Sequence, residues 1–245
     1  MAETVIKGSA LSGASPSRLS NGATRAARMS AFGELVGERG KPDLVGLCDD
    51  GAYYVATNPT PGTGVAGIAA ANGFDDTEAL FYLRNDATAS EGTRVYLDYI
   101  LLSATAAGTN GTNFSYAMTL DTGAARYASG GSAITPVSPN MQNSDSPSCT
   151  LYFGAVVPST SSTDRLVSHK PLRSVIKVIG DKYLFDFGGS KDTSDMATAG
   201  TAICNMRIPC PPVVLGPTDM FLLHEFAASQ SVAATYEFEI GFWVR

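Results

Sequence analysis

The run Thr235-Tyr-Glu-Phe-Glu-Ile-Gly-Phe-Trp-Val244 carries the clearest pattern in the chain. Tyr236, Phe238, Ile240, Phe242 and Val244 share one side of an extended backbone, and Thr235, Glu237, Glu239 and Gly241 share the other. Such period-two alternation predicts a strand with one buried face. Arg94-Val-Tyr-Leu-Asp-Tyr-Ile-Leu-Leu-Ser103 is equally β-prone but apolar on both sides, which predicts a deeper strand. Runs bounded by Gly, Pro, Asn and Ser predict further strands at Ala52–Thr57, Glu78–Arg84, Phe114–Leu120, Thr150–Val157, Arg173–Ile179, Lys182–Phe187, Ile203–Ile208 and Met220–Phe226. No pattern long enough for a crossover helix separates them. The expected fold is therefore all-β, an antiparallel sandwich or barrel.

The first residues read differently. Ser, Ala and Gly dominate, as in Gly8-Ser-Ala-Leu-Ser-Gly-Ala-Ser-Pro16, and bulky apolar positions are too sparse for a core face. Residues 1–45 are expected to form an extended N-terminal arm and residues 46–245 the β domain. Within the arm, Thr24–Val36 has the spacing of one short amphipathic helix, with Met29, Phe32 and Leu35 or Val36 on one stripe. Two long connections, Asn58–Asp76 and Gly188–Gly200, have a length more often functional or interface-forming than structural.

Composition removes whole classes of function. Hydrophobic residues make up 44% of the 245, enough to exclude disorder of the entire chain. No apolar run approaches the roughly 18 residues of a membrane-spanning helix, so no membrane partner is expected. A formal charge of −6 and a pI near 4.9 argue against a dedicated nucleic-acid binder. The charge is uneven: Lys7, Arg18, Arg25, Arg28 and Arg39 outnumber Glu3, Glu34 and Glu38 in the first forty residues, which are net +2, leaving −8 for the rest. Met1-Ala-Glu-Thr-Val-Ile-Lys7 lacks the basic start and apolar stretch of an export signal. Cys48, Cys149, Cys204 and Cys210 have neither disulfide-scaffold density nor zinc-site spacing, and are expected to be buried, reduced thiols.

Motif matches dissolve when their structural context is required. Gly62-Thr-Gly-Val-Ala-Gly67 fits a dinucleotide fingerprint, but Pro59 and Pro61 break the entering strand and Asn72-Gly73 curtails any helix. Gly37-Glu-Arg-Gly-Lys41 is too short for a phosphate loop, and Pro42 stands where a hydroxyl should bind magnesium. Ser174-Val-Ile-Lys177 has the S-x-x-K spacing of a serine nucleophile and its base, but a strand there sends Ser174 and Lys177 to opposite faces. His224 lies between apolar strand positions and reads as a packed, hydrogen-bonded histidine; His169 offers no partner motif. Glu237 and Glu239 share the solvated face of their strand, which favours surface carboxylates over a glycosidase pair. No catalytic residue, cofactor or metal is expected.

The stretches Arg126-Tyr-Ala-Ser-Gly-Gly-Ser-Ala-Ile-Thr-Pro-Val-Ser-Pro-Asn140, Lys182-Tyr-Leu-Phe-Asp-Phe-Gly-Gly189 and Pro211-Pro-Val-Val-Leu-Gly-Pro-Thr-Asp-Met-Phe-Leu-Leu-His224, together with the C-terminal strand, resemble a group of β-rich virion proteins of tailed bacteriophages. The resemblance spans residues 50–245 and implies a jelly-roll-like sandwich that binds the capsid as a cement or decoration protein. It carries no active-site residues over. The corresponding expectation is a homotrimer on the outer capsid surface, bridging neighbouring capsomers against the major capsid protein. Arg18, Arg25, Arg28 and Phe32 of the arm are its candidate partner-binding residues. The rivals are a fibre or receptor-binding protein recognising host glycan, for which Tyr53, Tyr54 and Phe74 are the aromatic candidates, and a carbohydrate-active enzyme.

Overall fold

The computed structural model describes residues 44–68, 73–109, 111–173, 177–189 and 203–245. The Thr24–Val36 helix, all but the last two residues of the arm, and most of the Gly188–Gly200 connection lie outside them. Among the described residues one short helix, α1 (Leu44–Asp49), precedes thirteen strands: β1 (Tyr53–Thr57), β2 (Val65–Ala66), β3 (Ala79–Asn85), β4 (Val95–Ala106), β5 (Thr112–Thr122), β6 (Tyr127–Ile134), β7 (Cys149–Pro158), β8 (Arg165–Arg173), β9 (Lys182–Phe187), β10 (Asn205–Cys210), β11 (Val214–Leu215), β12 (Asp219–Ala228) and β13 (Thr235–Val244).

The strands form two sheets. The first runs β1-β13-β4-β9-β10, with β2 paired to β13 and β11 to β4; the second runs β6-β7-β3-β12-β5-β8. Set aside the β6–β7 hairpin, β10 and the two-residue strands. The remaining eight, lettered B to I in chain order, then read B-I-D-G in one sheet and C-H-E-F in the other. That is the strand order of a jelly roll. All pairings are antiparallel except β9 with β10, which is parallel.

The core lies between the sheets. Phe81, Leu83, Tyr116, Met118, Phe153 and Phe221 of the second sheet pack on Leu97, Ile100, Phe185, Phe238, Ile240 and Phe242 of the first. Phe153 stacks on Phe238 with centroids 3.9 Å apart, and Phe187 meets Phe221 edge-on at 5.6 Å. The alternation at Thr235–Val244 appears as anticipated: Tyr236, Phe238, Ile240 and Phe242 are buried.

Four expectations change. Of the strand expected at Arg173–Ile179, residues 174–176 lie outside the described residues; β8 ends at Arg173, Lys177 and Val178 belong to no strand, and residues 179–180 form a turn. Lys177 does not sit on a strand face but turns wholly into the core. β4 is not buried on both faces: Leu97, Ile100 and Leu102 point inward, while Tyr96, Tyr99 and Leu101 are half-buried on the outside. The phase slips at Asp98, a bulge residue skipped between the pairs Gly241–Tyr99 and Phe242–Leu97. Finally, all four cysteines are free thiols, but only Cys204 and Cys210 are buried, Cys48 and Cys149 half so.

Candidate functional site

α1 settles how the N-terminal segment joins the body. Leu47 is buried against Tyr53 and Trp243, with Leu44, Cys48, Ala52 and Tyr96 packed around them. The helix therefore lies on the outer face of the first sheet, across the boundary expected at residue 45. A Schellman motif stops it: Gly51 N–H donates to Cys48 O at 3.0 Å and Ala52 N–H to Leu47 O at 2.8 Å. Gly51 has φ +69, the left-handed conformation that this motif demands. Asn143 Nδ2 donates to Gly51 O and Asn140 Nδ2 to Cys48 O, at 2.8 and 3.1 Å, so the segment 140–143 seals the turn.

Beyond α1 the same face is organised in rows across the sheet. Tyr53, Trp243 and Tyr96 stand in register on β1, β13 and β4, with Tyr96 and Trp243 stacked at 5.4 Å and 2°. The next row is Val55, Gly241, Tyr99 and Asp186, and the one after it Thr57, Glu239, Leu101, Leu184 and Arg207. Gly241 is obligatory: a Cβ there would lie 2.3 Å from Tyr53 Oη and 2.4 Å from Tyr99 Cε1. The two tyrosines close over it and donate to carboxylates, Tyr53 Oη to Asp98 Oδ2 at 2.9 Å and Tyr99 Oη to Glu239 Oε1. Burial and the adjoining carboxylates push both phenols well above their ordinary range, so they remain donors. Arg207 pairs with Asp186 through Nε at 2.9 Å and through Nη2.

Glu237 and Glu239, expected to be ordinary solvent-face carboxylates, are half-buried and engaged. Glu237 Oε1 accepts Gly62 N–H, and Glu239 accepts Tyr99. The Gly62–Gly67 stretch runs through a turn into β2, which lies between Gly64 and Gly67 and pairs with β13. Part of the long Asn58–Asp76 connection is thus sheet.

The outer face of the second sheet is a different surface. Tyr82, Met220 and Leu222 are fully buried there beneath Tyr127 and Tyr152, which stack at 3.8 Å. At one end Arg126 gathers three segments: Nε donates to Ser159 O at 2.8 Å, Nη2 to Asp76 Oδ2 at 2.6 Å, and Nη1 lies 3.6 Å from Asp121 Oδ2. Burial pushes the Asp121 carboxyl up. Hydrogen bonds from Ser161, Thr163 and Thr122, with the Arg126 charge, outweigh it and hold the group below its usual range. His224 is packed and hydrogen-bonded, as its setting suggested. Nδ1 faces Glu78 O at 2.7 Å and must donate, which leaves Nε2 to accept from Thr119 Oγ1 at 3.0 Å. Burial pushes its imidazole below the ordinary range.

Of the residues singled out from the sequence, Arg18, Arg25, Arg28 and Phe32 lie outside the described residues. Tyr53 and Tyr54 are 6% exposed and do not form an aromatic loop surface; Phe74 is exposed, edge-on to His224 at 5.0 Å. His169 is exposed and stacks on Phe226 at 5.6 Å. Burial raises the thiols of Cys149 and Cys210 to about 12, far from nucleophilic poise. Among the described residues no group of three or more His, Cys, Asp and Glu side chains is placed to hold a metal ion. Sequence reasoning passed over Tyr99, Asp98 and Arg126; Asp98 carried a signal, as the one charged residue inside an apolar run. Comparison of the chain with protein-family models, curated proteins and solved structures finds no match.

Proposed function

We propose that this chain is a virion structural protein of a tailed bacteriophage. It binds the outside of the capsid shell against the major capsid protein and bridges neighbouring capsomers as a homotrimer. Its action is to add buried area between shell subunits, which raises the barrier to rupture. The observation that carries the reading is the way the N-terminal segment is attached. α1 is packed through Leu47 on Tyr53 and Trp243 and terminated by Gly51, so the basic first forty residues precede a helix docked at a defined place on an acidic body. The jelly-roll strand order supports it, being an arrangement that capsid proteins share with lectins and cupins. A fold alone does not assign a function; the residue patterns at 126–140, 182–189 and 211–224 supply the link to virion proteins.

In this reading Arg18, Arg25, Arg28 and Phe32 order against the shell, and the arginines make contacts that weaken with salt where they stay exposed. The test adds the full chain, and a chain lacking residues 1–40 that keeps α1, to shells depleted of the protein, and counts bound copies by sedimentation. Loss of binding on truncation is expected. Equal binding of the two forms removes the role of the arm, and no binding of the full chain removes the shell reading. One observation favours the fibre reading instead: half-buried Tyr99 beside Glu239 pairs an aromatic ring with an acidic group, the chemistry that recognises a sugar ring. Binding of host surface glycan that Tyr99→Ala abolishes would decide for it.

A further inference from the structure

Lys177 ends inside the sandwich, wholly buried, where four aromatic rings surround its nitrogen. Nζ lies 4.6 Å from the ring centroids of Phe114 and Tyr116, 4.7 Å from that of Tyr236 and 5.3 Å from that of Tyr183. Its polar contacts are Glu225 Oε1 at 2.6 Å, Tyr116 Oη at 2.5 Å and Tyr236 Oη. Tyr236 Oη in turn lies 2.8 and 2.7 Å from the two oxygens of Glu225. Glu225 is 4% exposed and both tyrosines are fully buried.

An ammonium and a carboxylate shut away from water lose hydration that their mutual attraction repays only in part. Passing one proton between them leaves an amine beside a carboxylic acid, the pair that a low-dielectric site favours. Burial already draws the Lys177 ammonium below its ordinary range, against the pull of Glu225 and Asp181. The amine is then a nucleophile held against an acyl carbon by the packing of the whole core, the arrangement that gives intramolecular reactions their advantage.

We propose that Lys177 and Glu225 condense into an amide, a self-formed cross-link between positions 48 apart in the chain. The lone pair of Nζ forms the new bond to Glu225 Cδ while the carbonyl π pair moves onto its oxygen. Tyr236 takes a proton from Nζ and gives its own to the carboxyl hydroxyl. That C–O bond breaks, the carbonyl re-forms, and one water leaves. Nothing is oxidised or reduced, and no co-reactant is needed. Tyr116 Oη accepts a second N–H and orients the nitrogen. The product is uncharged, and hydrolysis would require water to re-enter a dry core. The bond ties the segment after β8 to β12 and closes a long loop, which restricts the unfolded chain.

The mass of the denatured full chain tests this directly. It is expected one water below the mass of the sequence. Trypsin should fail to cut after Lys177 and should yield a branched species joining residues 174–182 to 208–245. Lys177→Met and Glu225→Ala should each restore the full mass. Glu225→Gln, which loses ammonia in place of water, should give the same final product as the native chain. Tyr236→Phe should slow its appearance by about 100-fold or more, the usual worth of positioned acid–base catalysis. Native protein at full sequence mass, cut normally after Lys177, overturns the proposal whether or not the variants fold. Equal rates for Tyr236→Phe would remove Tyr236 as the proton carrier.

Discussion

The side-chain nitrogen of Lys177 lies between the two sheets, whereas the guanidinium of Arg126 lies at one end of the second sheet's outer face, under the turns that close it. Both groups are buried, and both meet carboxyl groups. Arg126 spreads a planar fork of donors over Ser159 O, Asp76 O and the Asp76 carboxylate, with Asp121 beyond. Those carboxylates have donors of their own: Ser161 N–H reaches Asp76, and Thr163 Oγ1 and Thr122 N–H reach Asp121. Lys177 ends in a single compact nitrogen with one carboxyl group in contact, and the remainder of its shell is phenol and ring face. Chain turns supply spare backbone carbonyls near water, so an arginine can be buried there with redundancy. Between two sheets the backbone is consumed by strand pairing, and Lys177 has side chains alone as its polar partners.

That difference orders the expected effects of substitution. Glu225→Ala removes the one carboxyl group in contact with Lys177, and the proposed cross-link with it, and should cost about 3–5 kcal/mol, read as a fall in the urea midpoint of the full chain. Arg126→Ala leaves carboxylates that keep other donors and is expected to cost less, about 1.5–3 kcal/mol. If Arg126→Ala proved the more damaging, the redundancy attributed to the outer cluster would be wrong.

Acidification should also strike the outer cluster first. The folded chain holds His224 neutral below the ordinary imidazole value of 6.5, so the unfolded chain binds more protons there. Stability should then fall as pH drops below 6.5, by up to about 1.4 kcal/mol for each pH unit while His224 stays neutral. Asp121, held low, adds a second loss that begins below 3.8 as its carboxyl protonates. Thermal melts from pH 7 to 3 would show the two windows, and His224→Gln should flatten the first. Thr163→Ala is the mildest change. It removes one 2.7 Å hydrogen bond to Asp121 and should cost about 0.5–1.5 kcal/mol, with the Asp121 window moved to higher pH.

Nine of the ten expected strands are present among the described residues, and the two longer strands that the pattern did not locate, β8 and β6, share a cause. β8 reads Arg165-Leu-Val-Ser-His-Lys-Pro-Leu-Arg173, and its charges and Pro171 hide the strand from any hydrophobic pattern. β6 reads Tyr127-Ala-Ser-Gly-Gly-Ser-Ala-Ile134, has one β-branched residue, and is bulged twice against β7. Each is an edge strand of the second sheet, held by one neighbour, where hydrophobic alternation is not required and charges or proline guard against further pairing. α1 was missed for want of length, yet Asp50-Gly51 was a legible stop signal.

Of the candidate surfaces, the sequence showed less. The alternation at Tyr236–Val244 correctly divided inward from outward residues, because the side-chain period of a strand is local geometry. What lies beside each outward residue is not local. That Tyr53 and Tyr99 should meet over Gly241 depends on the registers of β1, β13 and β4, set by turns and packing far along the chain. The Arg126 cluster likewise joins residues 50 and 33 positions apart.

By itself, then, the chain's pattern determined an all-β body: where most of its strands run, which of their faces are apolar, and the charge contrast between its first forty residues and the rest. Those properties follow from the preferences of residues and their immediate neighbours. Tertiary structure alone decided the jelly-roll order, the docking of α1 on the first sheet, and the fate of Lys177. Its position in Ser174-Val-Ile-Lys177 gave no hint of burial, since a lysine is ordinarily left in water. The meeting of Glu225 and Tyr116 from the second sheet with Tyr236 from the first provides an interior site where its nitrogen finds polar partners. Long-range register, not local sequence, brings those three side chains to one point.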